Sequence, residues 1–116
     1  MITLKTLPDA TSQEVFDQVT THLLQQNSKS MGERETCLYR GDGNKVCAAG
    51  CLISDDEYNE QMEYKNWKEL SDAKQVPEKH ISLITSLQEI HDSINTELWT
   101  KSLQELAKDF DLKFNN

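Results

Sequence analysis

Apolar residues recur every three or four positions over most of this chain, and that spacing predicts a largely helical fold. Val15, Phe16, Val19, Leu23 and Leu24 form the first stripe. Thr11-Ser12-Gln13-Glu14 precedes it and has the Thr-x-x-Glu form of a capping box. In that motif the hydroxyl accepts from the Glu14 amide and the carboxylate reaches back to the Thr11 amide, so a helix is expected over about 11–26. Leu83, Leu87, Ile90 and Ile94 step by four, three and four, with Ile84 and His91 widening the stripe. They predict a helix over 77–94, opened by Pro77, whose missing amide is harmless in a first turn. Trp99, Leu103, Leu106 and Phe110 predict a last helix over 97–109. Two such helices on a short link are expected to pack as an antiparallel pair. Shorter helices are predicted from Ser54, ahead of Asp55, Asp56 and Glu57, to about Glu63, and from Asn66, which caps Trp67 to Leu70.

The helical pattern breaks over residues 36–58, which hold all three cysteines and three of the four glycines. Thr36-Cys37-Leu38-Tyr39 is β-type, Gly41-Asp42-Gly43-Asn44 is turn-type, and Lys45-Val46-Cys47 can return as a second strand. A hairpin over 36–47 is therefore expected. Ala48 to Ile53 either continues the strand or makes a helical turn. The two alanines favour the turn, which places Cys47 and Cys51 on one face. Ile2 to Leu7 and Phe110 to Phe114 read as short extended segments that can lie side by side. Asn27 to Glu35 reads as a loop. No internal repeat or linker divides the chain. The expected fold is α+β: a mainly helical single domain over 1–116, with a small β-hairpin and a C-terminal antiparallel helix pair.

Composition narrows the partners. The chain has 116 residues, 12 Lys plus Arg against 20 Asp plus Glu, and a net charge of −8. Phosphate-rich surfaces repel such a chain, so neither nucleic acid nor membrane is expected to bind it directly, whereas a basic protein partner is compatible. No apolar run nears the ~20 residues that span a bilayer. Met1 to Asp9 lacks the form of a signal peptide, so a cytoplasmic location with free thiols is expected.

Three candidate chemistries arise. Cys37, Cys47 and Cys51, with His91 (or His80 or His22) as fourth ligand, would make a tetrahedral zinc site. The spacing is not that of a zinc finger, however, and buried cysteines commonly act as small apolar side chains, so no metal or cofactor is expected. A thiol nucleophile needs a base and an electropositive setting. Cys51 is instead followed by three acids, and His91 lies on an apolar face, where a hydrogen-bonded core histidine is the simpler reading. Asp55, Asp56, Glu57, Glu60 and Glu63 lack a di-iron or calcium-loop pattern and read as compensation of a helix dipole. No catalytic residue is assigned. Tyr58, Tyr64 and Trp67, together with Asp55, Asp56 and Glu57, have the composition of a protein-contact patch.

The central stretch has a second reading. Cys37-Leu38-Tyr39-Arg40-Gly41, then Gly43-Asn44-Lys45-Val46-Cys47-Ala48-Ala49-Gly50-Cys51-Leu52-Ile53, then Asp55-Asp56-Glu57-Tyr58, resembles a group of small uncharacterised proteins of tailed bacteriophages and prophages. Leu7 to Phe16 also resembles that group, so the match covers roughly the first half of the chain. Ser54 stands where the group has a proline, and either residue opens a helix. The resemblance implies a setting, the cytoplasm of a bacterial host, and no mechanism. Joined to the small size, the acidity and the lack of a catalytic constellation, it leads to the expectation of a non-enzymatic phage accessory protein. Such a protein would bind and modulate a host protein, for instance a defence or nucleic-acid-processing factor. The alternatives are a zinc- or thiol-dependent module, and a sponge for a signalling nucleotide, which would require Arg34, Arg40, Lys45 and Lys65 to converge. A two-fold homodimer is also expected, because the stripes of the last two helices, widened by Leu98, call for a partner.

Overall fold

The computed structural model spans residues 1–116 and contains four α-helices joined by short 3-10 turns: α1 (Ser12–Gln26), α2 (Trp67–Asp72), α3 (Ile81–Ser93) and α4 (Trp99–Asp109). Local chemistry starts the first two. At α1, the Glu14 amide donates to Thr11 Oγ1 (3.1 Å) and the Thr11 amide donates to Glu14 Oε1 (2.9 Å). At α2, Asn66 and Glu69 make the same reciprocal pair at 2.8 and 2.9 Å. A cap of this kind contributes about 1 kcal/mol. Past the ends of α1, α2 and α4, Asn27, Lys74 and Asp111 adopt left-handed backbone, which turns the chain away from the helix axis.

α3 begins at Ile81, four residues later than the apolar spacing predicts. His80 is the cause. Its backbone is left-handed (φ 69), and its ring is held across the molecule by the Ala10 carbonyl (2.7 Å) and the Ser12 hydroxyl (3.3 Å). Pro77 therefore lies in the linker rather than in a first helical turn.

α3 is the central element, in contact with α1, α2, α4 and the 3-10 turn Ala49–Leu52. The core is one cluster of 24 buried residues, among them Phe16 and Leu23 of α1, Ile84 and Leu87 of α3, and Trp99 and Leu103 of α4. The apolar stripes of the last two helices are thus filled within a single chain. Leu98 (50 % exposed), Tyr64 (80 %) and Met1 are the large apolar side chains left outside. The surface from which a two-fold dimer was expected is largely covered by the chain itself.

The expected β-hairpin does not form, and the architecture is all-helical rather than α+β. The chain does reverse at Asp42–Asn44, where Gly43 supplies a positive φ of 67. Only isolated antiparallel bridges result, Met31 with Cys37 and Arg40 with Val46. Side chains from distant segments take the backbone groups a ladder would have used. Glu63 accepts the Tyr39 and Arg40 amides (2.8 and 3.1 Å). Gln26 accepts the Val46 amide (3.0 Å) and donates to the Val46 carbonyl (2.9 Å). Ser30 Oγ lies within hydrogen-bond distance of the Leu38 and Lys45 carbonyls (2.7 and 3.2 Å). The terminal segments are treated alike. Gln18 brackets Ile2 (2.7 and 2.9 Å) and Gln13 brackets Lys113 (both 2.9 Å), so neither segment becomes a strand. Three glutamines of α1 each bind the N–H and the C=O of one residue, as a neighbouring strand would.

The helix expected from Ser54 to Glu63 is reduced to a single turn, with the Glu57 and Tyr58 amides both donating to the Ser54 carbonyl (3.0 Å), and a 3-10 turn at Glu60–Met62. The acids are used differently from dipole compensation. Glu57 accepts amides from Ser54 (3.0 Å), Leu4 (2.9 Å) and Lys5 (3.0 Å) and so ties down the N-terminal arm. Burial pushes its carboxyl pKa up, but these N–H bonds outweigh that and hold it below the usual value. The stability it supplies is therefore present above the unfolded carboxyl value near 4.3, and is lost as pH falls through the lower folded value. Glu57→Gln should lower the urea midpoint at pH 7 and make the Leu4 and Lys5 amides exchange about tenfold faster. The gap from wild type should begin to narrow as pH falls below the unfolded carboxyl value of about 4.3 and close only below the lower folded value, where the wild-type carboxyl is itself protonated. A gap that stays constant from neutral pH down to about pH 2 would show that charge is not what holds the arm.

Candidate functional site

The last turn of α3 meets the loop that carries Cys37. There the ligand atoms of Cys37, His91 and Asp92 all lie within 4.8 Å of one another. Cys47 and Cys51 are not part of this group. Cys47 is 1 % exposed and its sulfur accepts the Gly50 amide at 3.2 Å, while Cys51 borders a separate hollow with Met1, His22 and Val46. The three sulfurs weighed as a candidate ligand set are divided, and Asp92 rather than a second thiol lies beside Cys37 and His91.

Hydrogen bonding decides whether Cys37, His91 and Asp92 suit a metal. The Ser30 amide donates to His91 Nε2 at 2.9 Å, so the ring proton sits on Nδ1 and is donated to Asp92 Oδ1 at 2.7 Å. A cation at Nδ1 would leave Nε2 unprotonated against an N–H, which requires an imidazolate. At Nε2 the Ser30 amide is in the way. His91 therefore does not fit as a ligand, and Cys37 with Asp92 falls two short of a tetrahedral set. His91 is a fully buried core histidine that joins the loop at Ser30 to α3, with its ring 5.8 Å from that of Trp99.

The same arrangement disfavours nucleophilic chemistry. The carboxylate of Asp92, not the imidazole, faces the Cys37 thiol. Burial, followed by that carboxylate, pushes the thiol up to about 11. Burial raises Cys51 to about 12 against the pull of Arg40, and raises Cys47 further still. At pH 8, Cys37 should react with iodoacetamide about two hundredfold more slowly than a free thiol, judged by thiolate fraction. All three thiols should react promptly in denaturant. Fast labelling of one cysteine in the folded protein would reveal an activated thiol and contradict this assignment.

Cys37 and Asp92 line a cleft of about 220 Å³, with Tyr64 and Asn66 across from them. Through Asn66, Gln88 and Asp92 it joins a second hollow of about 200 Å³ bordered by Trp67, Thr85 and Glu89. The residues expected to form the contact patch separate here. Tyr64 is 80 % exposed with left-handed backbone (φ 65), and Asp55 and Asp56 are exposed. Trp67 belongs to the core at 2 % exposure, and its indole N–H has no acceptor. Tyr58 is half-buried, donates to Glu63 (2.6 Å) and lies under the Arg40 guanidinium (4.9 Å), while Glu57 is committed to the N-terminal arm. Arg40 also donates to the Gly50 and Ile53 carbonyls (3.0 and 2.6 Å) and lies 3.3 Å from Asp55, so it is spent on its own chain rather than offered to a nucleotide. Asp92, Ser30 and Gln88 are the members of this region that the sequence pattern did not mark.

No helix is long and apolar enough to cross a membrane. In comparisons with known proteins, no family model, curated protein or solved structure matches this chain.

Proposed function

We propose that this is a non-enzymatic accessory protein of phage origin that acts in the cytoplasm of a bacterial host by binding and modulating a host protein. Tyr64 carries the reading. It is a large aromatic, 80 % exposed, in left-handed backbone at the rim of a cleft. Bulky residues adopt that backbone at a cost, and exposed tyrosines beside a hollow are a frequent anchor of protein interfaces. The high thiol pKa values and the fixed tautomer of His91 supply no competing chemistry. A host defence or nucleic-acid-processing factor is the kind of target envisaged.

The test is a side-by-side capture from host lysate with wild-type protein and Tyr64→Ser, at low and moderate salt. A defined protein retained by wild type and lost by the variant is the expected result. Equal recovery by both, or no specific protein at either salt, would overturn the proposal.

A further inference from the structure

The two C-terminal helices repeat one another. Ser86-Leu87-Gln88-Glu89-Ile90 of α3 recurs in α4 as Ser102-Leu103-Gln104-Glu105-Leu106. Helical spacing places Ser86, Glu89, Ile90 and Ser93 on one face of α3, and Ser102, Glu105, Leu106 and Asp109 on one face of α4. Both faces line the same groove, of about 450 Å³, together with Ile94. Leu87 and Leu103 point to the core at 1 % and 0 % exposure, whereas Ile90 and Leu106 stop at its edge at 8 % each. The groove thus presents the partly buried Ile94 and the edges of the nearly buried Ile90 and Leu106, between one wall with Ser86, Glu89 and Ser93 and another with Ser102, Glu105 and Asp109.

Its carboxylates are unneutralised. The ion pairs of the chain are Arg40 with Asp55, Lys68 with Asp72 and His91 with Asp92. Glu89, Glu105 and Asp109 join none of them, and no lysine or arginine lines the groove. The net charge of −8 adds to the local field. An acidic segment would be repelled. A purely apolar one would strip water from three charges without replacing it. A second copy of this chain would bring the same negative charge.

We infer that the α3–α4 groove is a docking site for a basic amphipathic segment of a partner protein. Its apolar side chains lie on Ile90, Ile94 and Leu106, and its lysines or arginines meet Glu89, Glu105 and Asp109. The inference rests on the reading that the protein binds a protein, and it names that partner's chemistry. Glu89 also borders the separate hollow beside Trp67.

A synthetic peptide tests it without the natural partner. Methyl-labelled protein is titrated with a short amphipathic helix of leucine and lysine, with its leucine and glutamate counterpart, and with oligolysine. The leucine–lysine peptide should shift the methyls of Ile90, Ile94 and Leu106 to saturation, and the other two should leave them in place. Combining Glu89→Gln, Glu105→Gln and Asp109→Asn, all at exposed positions, should weaken binding about tenfold. Equal shifts from oligolysine, shifts centred on Tyr64, or no saturable shift would each overturn the groove assignment. If that happened while Tyr64-dependent capture persisted, the binding function would stand without this site. A saturable groove alongside Tyr64-independent capture would remove the Tyr64 reading and keep the groove.

Discussion

Cys47→Asp should cost about 3–5 kcal/mol of folding stability, a large part of the 5–15 kcal/mol typical of a whole domain. Cys47 is 1 % exposed, and the turn around it is closely packed: a Cβ placed on Gly50 would come within 2.7 Å of the Tyr39 carbonyl and 3.2 Å of the Cys47 sulfur. Cys47 borders the cleft of about 220 Å³ but is only 1 % exposed, so a new carboxylate there would be largely stripped of water. The nearby charges are of the wrong sign, since Asp92 and Glu63 already help to keep the thiol protonated. Cys47→Ala should be milder, at about 1–2 kcal/mol, because it loses a small volume and the acceptor for the Gly50 amide but introduces no charge. Urea denaturation at neutral pH orders the two. An Asp variant no less stable than the Ala variant would mean that the site is wet and the thiol is not a core residue.

Trp99→Ala should have an effect of similar size, about 3–5 kcal/mol for a fully buried indole. Trp99 is the first residue of α4 and 0 % exposed, and its N–H donates to the Ile94 carbonyl at 3.0 Å. Its ring lies against His91, which in turn accepts the Ser30 amide. Removing the indole therefore loosens the α3–α4 connection and the loop at Ser30 together. Trp99→Phe should keep most of the packing and lose mainly the hydrogen bond, at about 1 kcal/mol. Denaturant midpoints for the two variants, with exchange at the Ser30 amide, check this. A Phe variant as unstable as the Ala variant would show that the hydrogen bond outweighs the packing.

What the sequence revealed was what neighbours in the chain decide. The Thr11–Glu14 capping box, the Asn66 cap, the turn after Ala48 and the apolar stripes of α1, α3 and α4 all follow from residues a few positions apart. The hairpin was misread because its fate lies elsewhere in the chain. Its residues have strand character, but Glu63, Gln26 and Ser30 capture the amides and carbonyls that a ladder needs. The start of α3 was misplaced for the same reason, since the ring of His80 answers to Ala10 and Ser12. At the candidate site, His91 was legible as a core histidine from its apolar face. Its partner Ser30 was not, because no spacing connects that loop to α3, and Cys37 was brought near it only as one member of a zinc set with Cys47 and Cys51 that the fold divides. The Ser-Leu-Gln-Glu motif shared by the last two helices was missed, since so few residues do not read as an internal repeat until both copies are seen to face one groove.

The glutamine clasps of α1 also set the order in which the protein can be completed as it leaves the ribosome. Gln13 binds Lys113 across 100 residues of sequence, and the core around Phe16 and Leu23 also takes in Trp99 and Leu103 from the last helix. α1 is made well before α4 and stays without these last partners until residues 99–113 follow. Contacts of such long separation form late, and incomplete chains expose the apolar surface that proteases and chaperones recognise. A chain cut before α4 would keep that stripe uncovered, whereas one that includes Trp99 to Lys113 closes over it. Protease resistance is thus expected to rise only once residues 99–113 have joined α1.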